Sequence, residues 1–124
     1  MALDLSTIDS LEAALTYHRE RHTVLAGNVA NLDTPGFRPM DLARSEGGAS
    51  ELATTAPGHI ASVHTPQLVT SFDDGGGLQG ADGNAVSLER ELAKIDANRA
   101  RYATSAELVS RRLAMLRYAA GDGT

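Results

Sequence analysis

Two apolar seams with a 3-4 spacing bracket this 124-residue chain, and the polar stretch 38–84 separates them. From Ser6 to Leu32, the residues Ile8, Leu11, Leu15, His18, His22, Leu25, Val29 and Leu32 recur at helical intervals. From Ser87 to Ala120, Leu88, Leu92, Ile95, Arg99, Tyr102, Ala106, Val109, Leu113, Leu116 and Ala120 do the same. Each series marks one face of a long helix. Ser6, with Asp9 three residues on, is suited to open the first helix. Pro35 drives Thr34 out of helical geometry, and Pro35-Gly36 suits the centre of a type II turn, so the helix stops there. Ser87 can cap the second helix, Glu89 and Glu91 favour its first turn, and Gly121 can close it. Glu107 and Arg111 form a favourable i,i+4 pair on it. The two rods measure about 40 Å and about 50 Å.

The helical period vanishes between them. Pro39, Pro57 and Pro66, the glycines at 47–48 and the run Asp73-Asp74-Gly75-Gly76-Gly77 punctuate this segment. His59–Val63 and Leu68–Phe72 are its two short extended candidates. So long a connection with little structure of its own is flexible or orders only against a partner. The expected fold is mainly α: long N- and C-terminal helices packed as a coiled-coil-like pair, with an irregular middle carrying short strands at most. One domain results, divided into a helix and turn (1–37), a polar middle (38–84) and a second helix (85–124).

Such a pair has little to bury. Aromatic residues make up 4% of the chain and Trp is absent, so the core must come from aliphatic side chains. Two helices cover only one face of each other, and a chain this small is marginally stable. The seams therefore call for further helices of the same kind; the bland alternative is the core of one larger bundle.

Charge excludes some functions. The net charge is −5, which argues against a nucleic-acid binder. Residues 1–37 carry two basic and five acidic groups, residues 38–84 two and six, and residues 85–124 seven and five. The basic second helix complements the acidic remainder, either as helix docking or as plain solvated faces. No stretch reaches the ~20 apolar residues of a membrane span. The opening MALDLSTIDS lacks a basic and then apolar leader, so a cleavable signal peptide is not expected. Without Cys, disulfides and thiolate chemistry are absent.

Catalytic patterns are missing too. His18 and His22 have the i,i+4 spacing of a two-imidazole metal site, but Arg19, Glu20 and Arg21 between them do not give the metalloprotease order. Both lie on the apolar seam, where a polar residue more often sets register. Packing is the favoured reading over metal binding. His59 and His64 fall in the polar middle as loop residues. No Ser sits in a G-x-S-x-G elbow, and the triple glycine lacks the Lys-Ser/Thr of a phosphate loop. No enzyme activity, cofactor, metal or small-molecule substrate is expected.

One segment is more specific. Val24-Leu-Ala-Gly-Asn28-Val-Ala-Asn31-Leu-Asp-Thr34-Pro35-Gly36-Phe37-Arg38 resembles the ANxxTPGF/Y signature of the bacterial flagellar rod and hook proteins. In that family the signature closes the N-terminal helix. The second helix resembles the family's other pattern through Asn84, Val86, Glu91, Asn98 and Tyr102. Ser87 and Arg99 depart from it, standing where Asp and a neutral residue are common. The matches frame about half the chain. Its short length and the Arg-Pro-Met-Asp41 after the signature are most similar to the proximal rod subunits; distal rod and hook proteins are longer.

The resemblance implies a self-assembling structural subunit of the rod, with N- and C-terminal helices side by side in an inner tube and loosely ordered before assembly. It implies neighbours of the FlgC-like and FlgF-like kinds, a FliE-like rod base, and export by the flagellar type III apparatus to the periplasmic rod. It makes Asn28, Asn31, Thr34, Pro35, Gly36 and Phe37 the signature residues of the turn. Independently of the family, the amides of Asn28 and Asn31 can satisfy carbonyls at the helix end or reach across to a neighbour. Ile8, Leu11, Leu15, Leu25, Val29, Leu92, Ile95, Tyr102, Val109, Leu113 and Leu116 are the expected packing seam. Two other classes remain open: a small helical adaptor or secretion chaperone, which would be a soluble dimer, and a histidine-metal enzyme, which would need a third ligand from the middle segment.

Overall fold

The computed structural model of the chain describes residues 6–45, 67–73, 80–81 and 83–121. The elements run α1 (Ser6–Ala30), β1 (Met40–Ser45), β2 (Gln67–Phe72) and α2 (Leu88–Gly121). The architecture is mainly helical, two long helices flanking one short sheet, as the seams predict. His18 meets Asn98 while Asn28, further along α1, meets Glu91, earlier in α2. The helices are therefore antiparallel.

The expected boundaries shift only slightly. Ser87 occupies the cap position of α2, since its carbonyl accepts the first helical bond from Glu91 N at 3.0 Å. α1 stops at Ala30 rather than Leu32. Its last turn tightens into i→i+3 bonds, Asn31 N to Asn28 O at 3.1 Å and Leu32 N to Val29 O at 3.2 Å. Phe37 N then donates to Thr34 O at 3.2 Å, with Gly36 at φ +71°, the geometry of a type II turn.

β1 and β2 pair antiparallel, from Met40 opposite Phe72 to Ser45 opposite Gln67. Leu68–Phe72 thus falls within β2. Alternation did not reveal β1, because Leu42 is its one buried side chain. The candidate His59–Val63, with His59 and His64, lies outside the described residues. β1 rests on α1, with Tyr17 Oη donating to Leu42 O at 2.9 Å.

The face of α2 that meets α1 differs from the apolar seam. Besides Pro39, the buried apolar side chains among the described residues are Leu25 and Leu42. On α2 the buried positions are Glu91 and Asn98, each 1% exposed. Ile95, Ala106, Val109 and Leu116 are half-buried, but Leu88, Leu92, Tyr102 and Leu113 are 41–50% exposed, and Arg99 and Ala120 are exposed as well. Within one chain, polar groups line the contact and much of the apolar series faces outward. Specific hydrogen bonding explains the difference: a buried carboxylate or amide is tolerated where partners meet it. On α1, Leu25 is buried, whereas Ile8, Leu11, Leu15 and Val29 are half-buried and His22 is exposed; Leu32, just past its end, is half-buried.

Candidate functional site: the polar seam between the helices

Three asparagines and a histidine stitch the pair together. Asn98 Nδ2 donates to the His18 carbonyl at 2.7 Å, and its Oδ1 lies 2.8 Å from His18 Nδ1. A backbone carbonyl only accepts, so the amide's orientation is settled and His18 Nδ1 must be the donor to Oδ1. His18 thus packs and pairs across the seam, and no group of three or more potential metal-binding side chains occurs among the described residues.

Asn28 is a three-way junction. Its Nδ2 donates to Met40 O at 2.7 Å and to Glu91 Oε2 at 2.8 Å, and its Oδ1 accepts from Met40 N at 3.0 Å. One side chain thereby joins α1, the first residue of β1 and α2. Asn31 works locally: Nδ2 donates to Gly27 O at 2.9 Å, and Oδ1 accepts from Thr34 Oγ1 at 3.1 Å. Of the two readings for these amides, Asn28 takes the cross-connection and Asn31 the helix end.

Asn84 ties the turn to the start of α2. Its Nδ2 donates to the carbonyls of Asn31 and Leu32, and its Oδ1 accepts from Val86 N at 2.8 Å. Ala85 N donates to Phe37 O at 3.2 Å. Gly83, at φ +77°, brings its backbone beside Gly36, whose Cα would lie 3.7 Å from a Cβ at position 83. Pro35 and Thr34 are exposed and Phe37 half-buried.

Charged groups complete the frame. Arg21 grips Asp41 with two bonds, Nε to Oδ1 and Nη2 to Oδ2, each 2.7 Å, the strong bidentate geometry. Burial pushes the Asp41 carboxyl up, but the Arg21 hydrogen bonds and charge, the Leu42 amide and Lys94 together hold it below its ordinary range. The bond to Asp41 raises Arg21. Lys94 bridges Asp73 and Glu91, the latter at 2.8 Å. Burial lowers the Lys94 ammonium, and the hydrogen bonds it donates to these two carboxylates, with their charge, reverse that and raise it. Sequence reasoning passed over Arg21, Asp41, Asp73 and Lys94; only the i,i+3 spacing of Glu91 and Lys94 was a visible signal.

An antiparallel helical pair pinned by Asn28, Asn84 and Asn98 carries, at the end of its first helix, the Asn-x-x-Asn-x-x-Thr-Pro-Gly-Phe segment that resembles the signature of the flagellar rod and hook proteins. No family model matches the chain. It is 40% identical over 87 residues to the flagellar basal body rod protein FlgB of Aquifex aeolicus, covering 68% of each. It is 31% identical over 111 residues to FlgB of Aeromonas hydrophila, covering 83% of each. To FlgB of Escherichia coli it is 31% identical over 126 residues, covering 83% of this chain and 89% of the relative. The chain belongs to the FlgB family of flagellar basal body rod proteins.

Proposed function

We propose that this chain is a structural subunit of the proximal flagellar rod, assembling through its helices into the shaft that transmits motor torque. The observation that carries the assembly reading is the row of uncovered apolar side chains on α2: Leu88, Leu92, Tyr102 and Leu113 remain 41–50% exposed although α1 lies alongside. A helix with so much apolar surface outside its own pair is suited to further helices. The signature residues Asn28, Asn31, Thr34, Pro35, Gly36 and Phe37 then hold the turn and the sheet at a set angle to the pair. The segments 1–37, 38–84 and 85–124 act as one domain.

In this reading the neighbours are copies of the chain, FlgC-like and FlgF-like rod subunits and a FliE-like base, reached after export by the flagellar type III apparatus. Its role is structural rather than catalytic. Deleting the gene and imaging isolated basal bodies tests it. Cells should lose motility and basal bodies should lack a rod, with both restored by the wild-type gene. Intact rods in the deletion strain would refute it.

A further inference from the structure

A cavity of about 440 Å³ opens between α1 and α2 beside the His18–Asn98 pair. Its walls include Arg19, His22, Arg99, Tyr102 and Ala103, and no Asp or Glu lines it. Arg19 and Arg99, one from each helix, are exposed, and neither forms an ion pair among the described residues. Two guanidiniums thus flank an apolar recess in a chain of net charge −5. Such a site suits a carboxylate-bearing helix whose apolar flank fills the recess.

The chain itself carries a matching surface. Asp9 and Glu12, three residues apart on α1, are exposed and likewise form no ion pair among the described residues. Half-buried Ile8 and Leu11 stand beside them. β1 meets α1 at Tyr17, Arg21 and Asn28, so the Asp9–Glu12 end is clear of the sheet. We infer that the Arg19–Arg99 cavity of one copy receives the Asp9–Glu12 turn of a second copy. The two surfaces are different patches, so the contact either repeats head to tail along a row of copies or, made reciprocally, closes a two-fold pair. This deepens the rod reading and rests on it for its cellular role.

Analytical ultracentrifugation of the full-length chain tests the contact apart from motility. Wild-type protein should self-associate, less so as salt rises from low to physiological levels and beyond. Combining Arg19→Glu with Arg99→Glu should weaken association by about tenfold or more, and Asp9→Arg with Glu12→Arg should do the same. Carrying all four changes should restore association, because the charges are exchanged. Far-UV circular dichroism of each variant reports its fold; if charge reversal removes helix, Arg19→Gln with Arg99→Gln takes its place and should flatten the salt dependence. A monomeric wild type, unchanged association in a folded double variant, or no recovery in the folded exchange variant overturns the inference. Capture of another acidic helix by a chain that does not self-associate overturns the second-copy assignment.

Discussion

Asn98 and His18 clasp each other twice, the amide nitrogen on the His18 carbonyl at 2.7 Å and the amide oxygen 2.8 Å from its ring nitrogen. Eighty residues apart in sequence, they set the register of α2 against α1. Neither bond survives a slip of one residue, so the pair specifies register as a polar position does in a coiled coil. Asn98→Leu leaves the buried His18 ring donor unmet. It should cost about 1–3 kcal/mol, read as a lower midpoint when the helical circular dichroism is titrated with heat or urea.

Asn28 carries more. Asn28→Ala strips partners from both backbone groups of Met40 and from Glu91, and should cost about 3 kcal/mol or more. Asn28→Asp is the sharper probe, because it sets a second carboxylate against Glu91. Its defect should be largest at neutral to alkaline pH and shrink as the pH falls and the introduced carboxyl takes up a proton. A pH-independent defect would contradict this account.

The ion pairs predict both limbs of the pH profile. Asp41 is lowered in the folded chain, so its contribution is present above its unfolded value and is lost as pH falls through the folded one. Lys94 is raised, so its contribution is present below its unfolded value and is lost as pH climbs through the folded one. Stability should therefore be level from about pH 5 to about pH 10 with respect to these groups. Asp41→Asn should flatten the acid limb and Lys94→Met the alkaline one in thermal melts across pH.

At Gly36 the constraint is the backbone. Its φ is +71° and a Cβ there would meet nothing within 4 Å, so a substitution is strained without clashing. Gly36→Val should cost about 1–3 kcal/mol, and Gly36→Asn clearly less, because Asn tolerates the left-handed region. Swimming-ring diameters should rank wild type, Asn, then Val. Equal motility of the two variants would mean that the angle is not what matters.

Leu113 separates folding from assembly. It is 50% exposed in the single chain, so Leu113→Asp should leave the helical signal of the isolated protein unchanged. If a neighbour covers the site in the rod, the variant buries an unpartnered carboxylate at a cost of several kcal/mol. Export without incorporation into basal bodies, and loss of motility, is the expected outcome. Normal motility would place Leu113 outside any interface.

The sequence was informative where one segment acts alone. Heptad-like spacing located both helices, Ser87 their second start, and Pro35-Gly36 the turn, because capping and φ restrictions act between residues close in the chain. It was uninformative for β1. A strand needs a partner, and Asp41 and Leu42 become strand residues through β2 and through Arg21 and Tyr17 on α1. Glu91 reads in sequence as a first-turn acid favoured by the helix dipole, yet the structure buries it on Asn28 and Lys94.

The sequence by itself determined the two helices, the turn between α1 and the sheet, and the family signature. Tertiary structure alone decided which face of α2 turns inward. Hydrophobic periodicity ranks faces by transfer free energy, which favours Leu88, Leu92 and Leu113. It has no term for a hydrogen bond to a residue some eighty positions away. With His18, Asn28 and Lys94 in place to meet them, Asn98 and Glu91 could be buried at little net cost, which left the leucines outside.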